Sequence, residues 1–368
     1  MKAIKKLTLW IVISLFVQFL GFYYVDSKFL SSASNVTIKK IEDFDTDEKE
    51  YEDVDVKISD NASKIQFSHN CKYLSYIEKN HLYVEEIKSE KIKKVQLEDN
   101  SEISYYKWLP DRDRMLIVEK NSGYNGIKLM VSSYDVKKDE KILIKDFKVY
   151  DENIEVSDIE LSTLTGLTYI KTVDSDNVSS IYRIDRMGEG SKIETVPKYI
   201  SNMSLLRTED ILYYEGEVYN KIYSSQDNKE INIDDVDKLT LLGTDNEKNI
   251  YVGSLKNDLV ESIYYKTIES KQNLSEETDV EKLEDEKNEF VNDYENNFTQ
   301  IKMTSPSKSE NIFINSEGKI YVHDKIRKTV TNEIDKSVTT YNGEFLSFRN
   351  DGIMVKNGQN ISVIKYKK

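Results

Sequence analysis

The chain has little of what many structural frameworks are built from. A single cysteine, Cys71, in 368 residues excludes an intrachain disulfide framework and a multi-cysteine metal site. Three histidines, His69, His81 and His323, leave little material for acid–base chemistry or a zinc centre. Thirteen glycines and three prolines argue against collagen-like, glycine-linker and proline-rich segments. Alanine, the best helix former, occurs only at Ala3, Ala33 and Ala62, which disfavours a mostly helical body. What is abundant instead is Tyr, 25 residues of it, with many Ile, Val and Thr, the residues that suit a pleated surface.

One long uncharged run stands out. Leu7 to Val25 carries no charged side chain over 19 residues, enough to cross a hydrocarbon core as a helix. Lys2, Lys5 and Lys6 precede it, and Trp10, Tyr23 and Tyr24 sit near its ends, where amphipathic rings favour the headgroup layer. The expectation is a cytoplasmic tip and transmembrane signal-anchor over 1–25, an acidic linker over 26–52, and a domain over 53–368 outside the membrane. A cleaved signal peptide ending near Ser31 or Ala33 is the rival reading.

The formal net charge of −14 is concentrated in two places. Residues 41–60 hold ten acids and two lysines, and residues 276–295 hold ten acids and two lysines again. The rest of the chain is close to neutral, which does not read as a nucleic-acid binder with its clustered basic face, and basic or cationic partners fit better. Asp43, Asp45 and Asp47 open like a calcium loop, but Glu48 and Val54 stand where the loop needs Gly and a bidentate Glu, so a solvated spacer is expected. In the second acidic segment Val280, Leu283, Phe290, Val291 and Tyr294 fall on one face at helical spacing, and Thr278 with Glu281 forms a capping-box pair. An inserted acidic helix over about 271–297 is therefore expected, as a packed edge helix or as a docking arm.

From Lys64 onward the chain reads as short β runs separated by polar turns, without βαβ crossovers. The best-formed unit is 65–97, with turns at SHNC, Asn80 and Ser89-Glu90. Comparable quartets fill 103–147, 154–196, 200–233, the stretch to 303 interrupted by the acidic insertion, then NIFIN–GKIYVHD–KTVTNEI after a weak first strand, and SVTTYN–EFLSFRN–GIMVKN–ISVIKYK. Seven quartets of about 44 residues match the 40–45 of a four-stranded blade. The fold class expected is thus all-β, a β-propeller of seven four-stranded blades, with the alternating strand 53–58 latching onto the last blade. Two stacked β-sandwiches are the alternative.

FSHNCKYLSYI at 67–77 resembles the F-S-P-D-G-K-x-L-A-Y element of TolB-like propeller repeats, also seen in the N-terminal propellers of dipeptidyl peptidase IV relatives. WLPDRDRMLIV at 108–118 is similar to the same element, with Pro110 and Asp111 in its Pro-Asp positions. His69, Asn70 and Cys71 depart from the usual Pro-Asp-Gly, and Asp113 replaces glycine in the second copy. The resemblance implies a protein-binding or substrate-gating propeller. The hydrolase domain of the peptidase relatives needs a G-x-S-x-G elbow, and no such pentapeptide occurs.

Other chemistry is sparse. Gly188-Glu189-Gly190 lacks a Walker lysine and reads as a turn; His69 with Cys71 reads as a repeat turn rather than a nucleophile pair; His81 and His323 read as edge packing. Catalytic residues, cofactors and metals are accordingly none. The function expected is a non-catalytic, membrane-anchored, extracytoplasmic scaffold or regulatory module of a bacterial cell envelope that binds an envelope or membrane protein. Its expected contacts are the aromatics Tyr105, Tyr106, Trp108 and Tyr124 and the arm residues Leu283, Phe290 and Tyr294. The alternative is an envelope carbohydrate-active or polymer-binding propeller, which would place two or three carboxylates beside aromatic rings at the central mouth.

Overall fold

The structure, a computed structural model, describes residues 55–123, 126–268 and 297–367, together with the helical Trp10 and Gln18. The chain separates into two compact units, Met1–Glu50 and Tyr51–Lys368. The expected anchor, apart from those two helical residues, and the expected acidic helix up to residue 296 lie outside the described residues. Among the described residues no helix is long and apolar enough to cross a membrane.

The second unit is built of seven antiparallel sheets arranged as a β-propeller. Blade 1 comprises Ser63–Phe67, Tyr73–Glu78, His81–Glu86 and Lys91–Lys94; blade 2, Ser101–Trp108, Arg114–Gly123, Gly126–Asp135 and Glu140–Val149; blade 3, Glu155–Ser162, Leu167–Val173, Ser179–Ile184 and Gly190–Ile193. Blade 4 has three strands, Ile200–Leu206, Ile211–Gly216 and Lys221–Ser224. Blade 5 comprises Leu239–Thr244, Asn249–Lys256, Leu259–Thr267 and Thr299–Ser307; blade 6, Ile312–Ile314, Ile320–Asp324, Thr329–Asn332 and Val338–Thr340. Blade 7 comprises Glu344–Phe348, Gly352–Asn357 and Asn360–Lys365, completed by Asp55–Lys57 from the other end of the chain.

Seven apolar clusters, one in each seam between neighbouring blades, explain why the ring closes. Tyr106, Trp108 and Met115 of blade 2 pack on Tyr73, Leu82 and Val84 of blade 1, and Leu116, Val118 and Phe147 of blade 2 pack on Ile159, Ile170 and Ile184 of blade 3. Successive seams follow around the ring, and the last joins Met354 and Ile361 of blade 7 to Leu74, Tyr76 and Phe67 of blade 1. The inner strands thus send alternate side chains into two different seams, as Met115 and Ile117 against Leu116 and Val118 show, so a blade alone would leave two apolar faces in water. A pair of stacked sandwiches has no need of seven separate seams, which disposes of that alternative.

The described part of the expected strand, Asp55–Lys57, pairs with the last blade: Val56 faces Ile361, and Val56 and Ile58 are buried in the closing seam. The turns expected at SHNC, Asn80 and Ser89-Glu90 hold Cys71, Asn80 and Glu90 in the left-handed region, with φ of 56°, 61° and 54°. Cys71 thus takes the conformation that the glycine of the repeat element would adopt without steric cost.

Two assignments are corrected. SVTTYN supplies the outer strand of blade 6, Val338–Thr340, not the first strand of blade 7, and NIFIN is the first strand of blade 6 rather than its second. The fourth run of blade 4, KEINI, forms only isolated bridges, Tyr223 with Glu230 and Ile233 with Val236.

Candidate docking face

Because neighbouring strands in a blade alternate in direction, the loops sort onto two ends of the ring. One end, the upper, carries the turns between first and second and between third and fourth strands. The lower end carries the second-to-third turns and the blade-to-blade connections. Asp55 faces Ser362 and Lys57 faces Asn360, so the chain enters the closing strand from the upper end. Ile268 and Asn297 also lie at the upper end, whereas Gly123 and Gly126 lie at the lower end.

The exposed aromatic side chains of the described propeller are Tyr150, Tyr199 and Tyr219, which are 89%, 38% and 75% exposed, and all three lie at the lower end. Val196 and Val218, also exposed, stand beside them. Backbone hydrogen bonds tie these loops into one continuous arc across blades 3 to 5. Ser179 N–H donates to the Lys198 carbonyl at 2.8 Å, Glu217 N–H to the Tyr199 carbonyl at 3.0 Å, and Leu239 N–H to the Asn220 carbonyl at 2.8 Å. Pro197 packs over Gly216, where an added Cβ would come within 3.0 Å of the proline ring.

At the start of the arc Ser175 donates from both its amide and its hydroxyl to Asp151 Oδ2 at 2.7 Å. These bonds, with one from the Asn153 amide, hold the Asp151 carboxyl below the ordinary range. Within 150–154, 174–178, 194–199, 217–220 and 234–238 there are nine acids and two lysines, Lys198 and Lys238. The arc is therefore an apolar, tyrosine-bearing strip in an acidic surround, a combination suited to burial against a partner.

The wall around the ring axis is polar and tightly pinned. The first strands of successive blades from 1 to 6 lie side by side, and the backbone groups at their open edges are taken up by neighbouring blades' side chains, as the cost of unpaired groups requires. Gln66 Nε2 donates to the Tyr106 carbonyl at 3.0 Å, Lys64 Nζ to the Ser104 carbonyl at 3.0 Å, and Val156 N–H to Ser104 Oγ at 3.0 Å. Lys107 donates to the Ile159 carbonyl and to Glu160 Oε1, the latter at 2.8 Å, and lies 3.9 Å from Asp158. Burial opposes the Lys107 charge, but Glu160 and Asp158 outweigh it and raise its pKa. Burial, partly offset by Lys107 and reinforced by Asp158, raises the Glu160 carboxyl. Lys171, buried, donates to the Ser201 carbonyl, and burial lowers its pKa. Glu215, also buried, accepts from Asn202 Nδ2, Thr240 Oγ1 and the Leu241 amide at 2.9, 3.0 and 2.9 Å.

The aromatics expected to bind a partner divide. Tyr106 and Trp108 lie on the first strand of blade 2, not in a turn, and are 1% and 7% exposed. Tyr106 donates to the Lys64 carbonyl, and Trp108 Nε1 donates to Ser75 Oγ at 2.7 Å with its ring stacked 6.2 Å from Tyr73. Both serve the seam with blade 1 and present no face to a partner. Tyr105, one residue out of phase, is half-buried toward blade 3, and burial with the nearby Asp158 raises its pKa. Tyr124, Leu283, Phe290 and Tyr294 lie outside the described residues.

Cys71 is buried and its thiol is pushed up to about 11 by burial, the opposite of an activated thiolate. His69 sits 3.5 Å from Asp113, which Lys137 also approaches at 3.0 Å. His323 is buried, shares a 2.7 Å hydrogen bond with the Tyr341 hydroxyl and stacks 4.0 Å from Phe345; burial lowers its pKa. Among the described residues no cluster of His, Cys, Asp and Glu is arranged to hold a metal. A depression of about 450 Å³ beside Asn121, Lys128, Leu143 and Asp146 opens widely on blade 2, and one under Phe298 has room for about one water, so neither is an enclosed site.

No family model matches the chain, and no curated protein matches it. Solved structures do. The chain is similar to a chain of a mitotic checkpoint complex, at 9% identity over 85% of this chain and 94% of that one, with a TM-score of 0.48. It is similar to the Cps50 (Swd1) β-propeller domain of Myceliophteria thermophila, at 10% identity over 85% and 99%, with a TM-score of 0.49. It is also similar to Porphyromonas gingivalis dipeptidyl peptidase 4, at 10% identity over 76% of this chain and 44% of that one, with a TM-score of 0.44. The blade count rests on the strand pairing itself.

Proposed function

We propose that the protein is a non-catalytic, protein-binding β-propeller, held by its N-terminal segment at a bacterial membrane with the ring outside, and that the lower end of blades 3 to 5 is its docking face. The observation that carries the reading is the gathering of Tyr150, Tyr199 and Tyr219 on one end of the ring. Three separate connections place large apolar groups in water there, at a cost that burial against a partner would reverse. The titratable groups of the ring support a binding role over a catalytic one. Asp158 and Glu160 bracket Lys107, Glu215 caps neighbouring backbone, and Cys71 and His323 are buried as neutral packing groups. The apolar run 7–25 with its preceding lysines supports the anchor, and the repeat element at 67–77 is in keeping with a TolB-like relationship.

The test is cross-linking of the full chain in its native membrane, comparing wild type with Tyr150→Ser/Tyr199→Ser/Tyr219→Ser and with an upper-end control, Leu164→Ser/Met187→Ser/Ile334→Ser. A protein adduct lost only in the tyrosine variant is expected. Equal loss in both, or recovery of wall polymer with no protein, would end the reading.

A further inference from the structure

Resting on that docking face, we infer that its occupant is a second copy of this chain. The lower end also carries, in blade 6, the turn 325–328: Lys325, Ile326, Arg327 and Lys328, all exposed, with Ile326 at 95%. An apolar tip flanked by three cations is the chemical inverse of the arc, where Tyr199, Val218 and Tyr219 stand among nine acids and two lysines. Arg327 reaches Asp324 only at 3.7 Å and is 82% exposed, so its charge faces outward.

Geometry allows both contacts at once. Sevenfold division of the ring places blade 6 about 150° from blade 3. Two copies set face to face about a twofold axis put the turn of each over the arc of the other. Such a contact is isologous and closes after two copies, so it makes a dimer and not a filament. The loops of the arc and the turn together supply about thirty residues per copy, the size of a standard interface of roughly 20–30 residues a side. Opposite charges arranged in this way set orientation and speed encounter. The closing strand enters from the upper end, and Ile268 and Asn297 lie at that end as well.

The only native cysteine is buried, which makes disulfide trapping a clean test. Two differently tagged full-length chains, one with Ile326→Cys and one with Tyr219→Cys, are co-expressed in the native membrane and oxidised. A mixed disulfide is expected, with none between Ile326→Cys and Leu164→Cys on the upper end. Adding Lys325→Glu/Arg327→Glu/Lys328→Glu to the first chain is expected to lower the yield at least tenfold, and pairing that chain with Asp234→Lys/Asp235→Lys/Asp237→Lys on the second to recover it. Absence of the disulfide, with both thiols open to a small maleimide and the detergent-solubilised full chain sedimenting as a monomer, would overturn the inference. If Tyr219→Cys were instead trapped on a different protein, self-association would fall while the docking face stood. If Tyr219→Cys were trapped on nothing, both would fall.

Discussion

Truncating the closing strand is the most informative perturbation of the ring. Val56 and Ile58 are the apolar side chains that Asp55–Lys57 and its exit send into the seam between blades 7 and 1, at 6% and 5% exposure. Ile→Ala in a packed core costs about 2–5 kcal/mol, and Val→Ala removes two carbons worth about 0.8 kcal/mol each. Adjacent sites do not add strictly, so Val56→Ala/Ile58→Ala is expected to destabilise by about 4–6 kcal/mol, a large share of the roughly 5–15 kcal/mol of a typical domain. Urea unfolding of the full chain measures this, with Ile222→Ala in the seam between blades 4 and 5 as the comparison. Because the strand also pairs through three residues with Asn360–Lys365 and receives a bond from Ile58 N–H to the Gln359 carbonyl at 2.8 Å, hydrogen exchange at 360–365 is expected to rise in the double variant before global unfolding, and not in Ile222→Ala. A cost below about 1 kcal/mol, or unchanged exchange at 360–365, would refute ring closure by this strand.

Further outcomes follow from the buried groups. In a Trp10→Phe background the emission of Trp108 is expected to be blue-shifted and insensitive to iodide; red-shifted, quenchable emission would contradict its burial between blades 1 and 2. Cys71 is expected to react with a maleimide at pH 7.5 at least a hundredfold more slowly in the folded chain than in urea, because burial keeps the thiol protonated and covered; equal rates would place it in water. His323 has a folded pKa below its ordinary 6.5, so as pH falls through that value the unfolded chain takes up a proton that the folded chain refuses. Stability from this group is therefore full above 6.5 and declines below it, down to the folded pKa. His323→Phe should flatten that part of a stability–pH curve measured by urea midpoints, and an unaltered slope would refute the assignment.

The sequence shows the ring more readily than the face. Period-two alternation and turn residues locate the strands, and the left-handed Cys71, Asn80 and Glu90 sit where polar breaks occur. What alternation does not mark is which strand of a blade is inner and which is outer, so SVTTYN reads equally well as the start of one blade or the end of another. Only its pairing with Thr329–Asn332 decides. The aromatic run of blade 2 carries a similar lesson. Tyr106 and Trp108 are two apart and share the blade 1 seam, while Tyr105 and Lys107, out of phase, turn toward blade 3. A cluster in sequence is thus split between two sides of a sheet. Conversely, Tyr150, Tyr199 and Tyr219 lie in connections 49 and 20 residues apart, and only the fold of the ring brings them to one end. The signal that could have found them is strand parity, which puts the blade-to-blade connections holding Tyr150 and Tyr199 and the second-to-third turn holding Tyr219 at the same end.

The most direct test is site-specific photo-cross-linking in the cells that make the protein, with a photoreactive phenylalanine analogue placed at Tyr219 in one full-length chain and at Leu164 in another. A discrete protein adduct, a second copy of this chain, is expected from position 219 and none from 164 on the opposite end of the ring. Adducts of equal yield from both positions, or from 164 alone, would contradict docking through the lower end of blades 3 to 5.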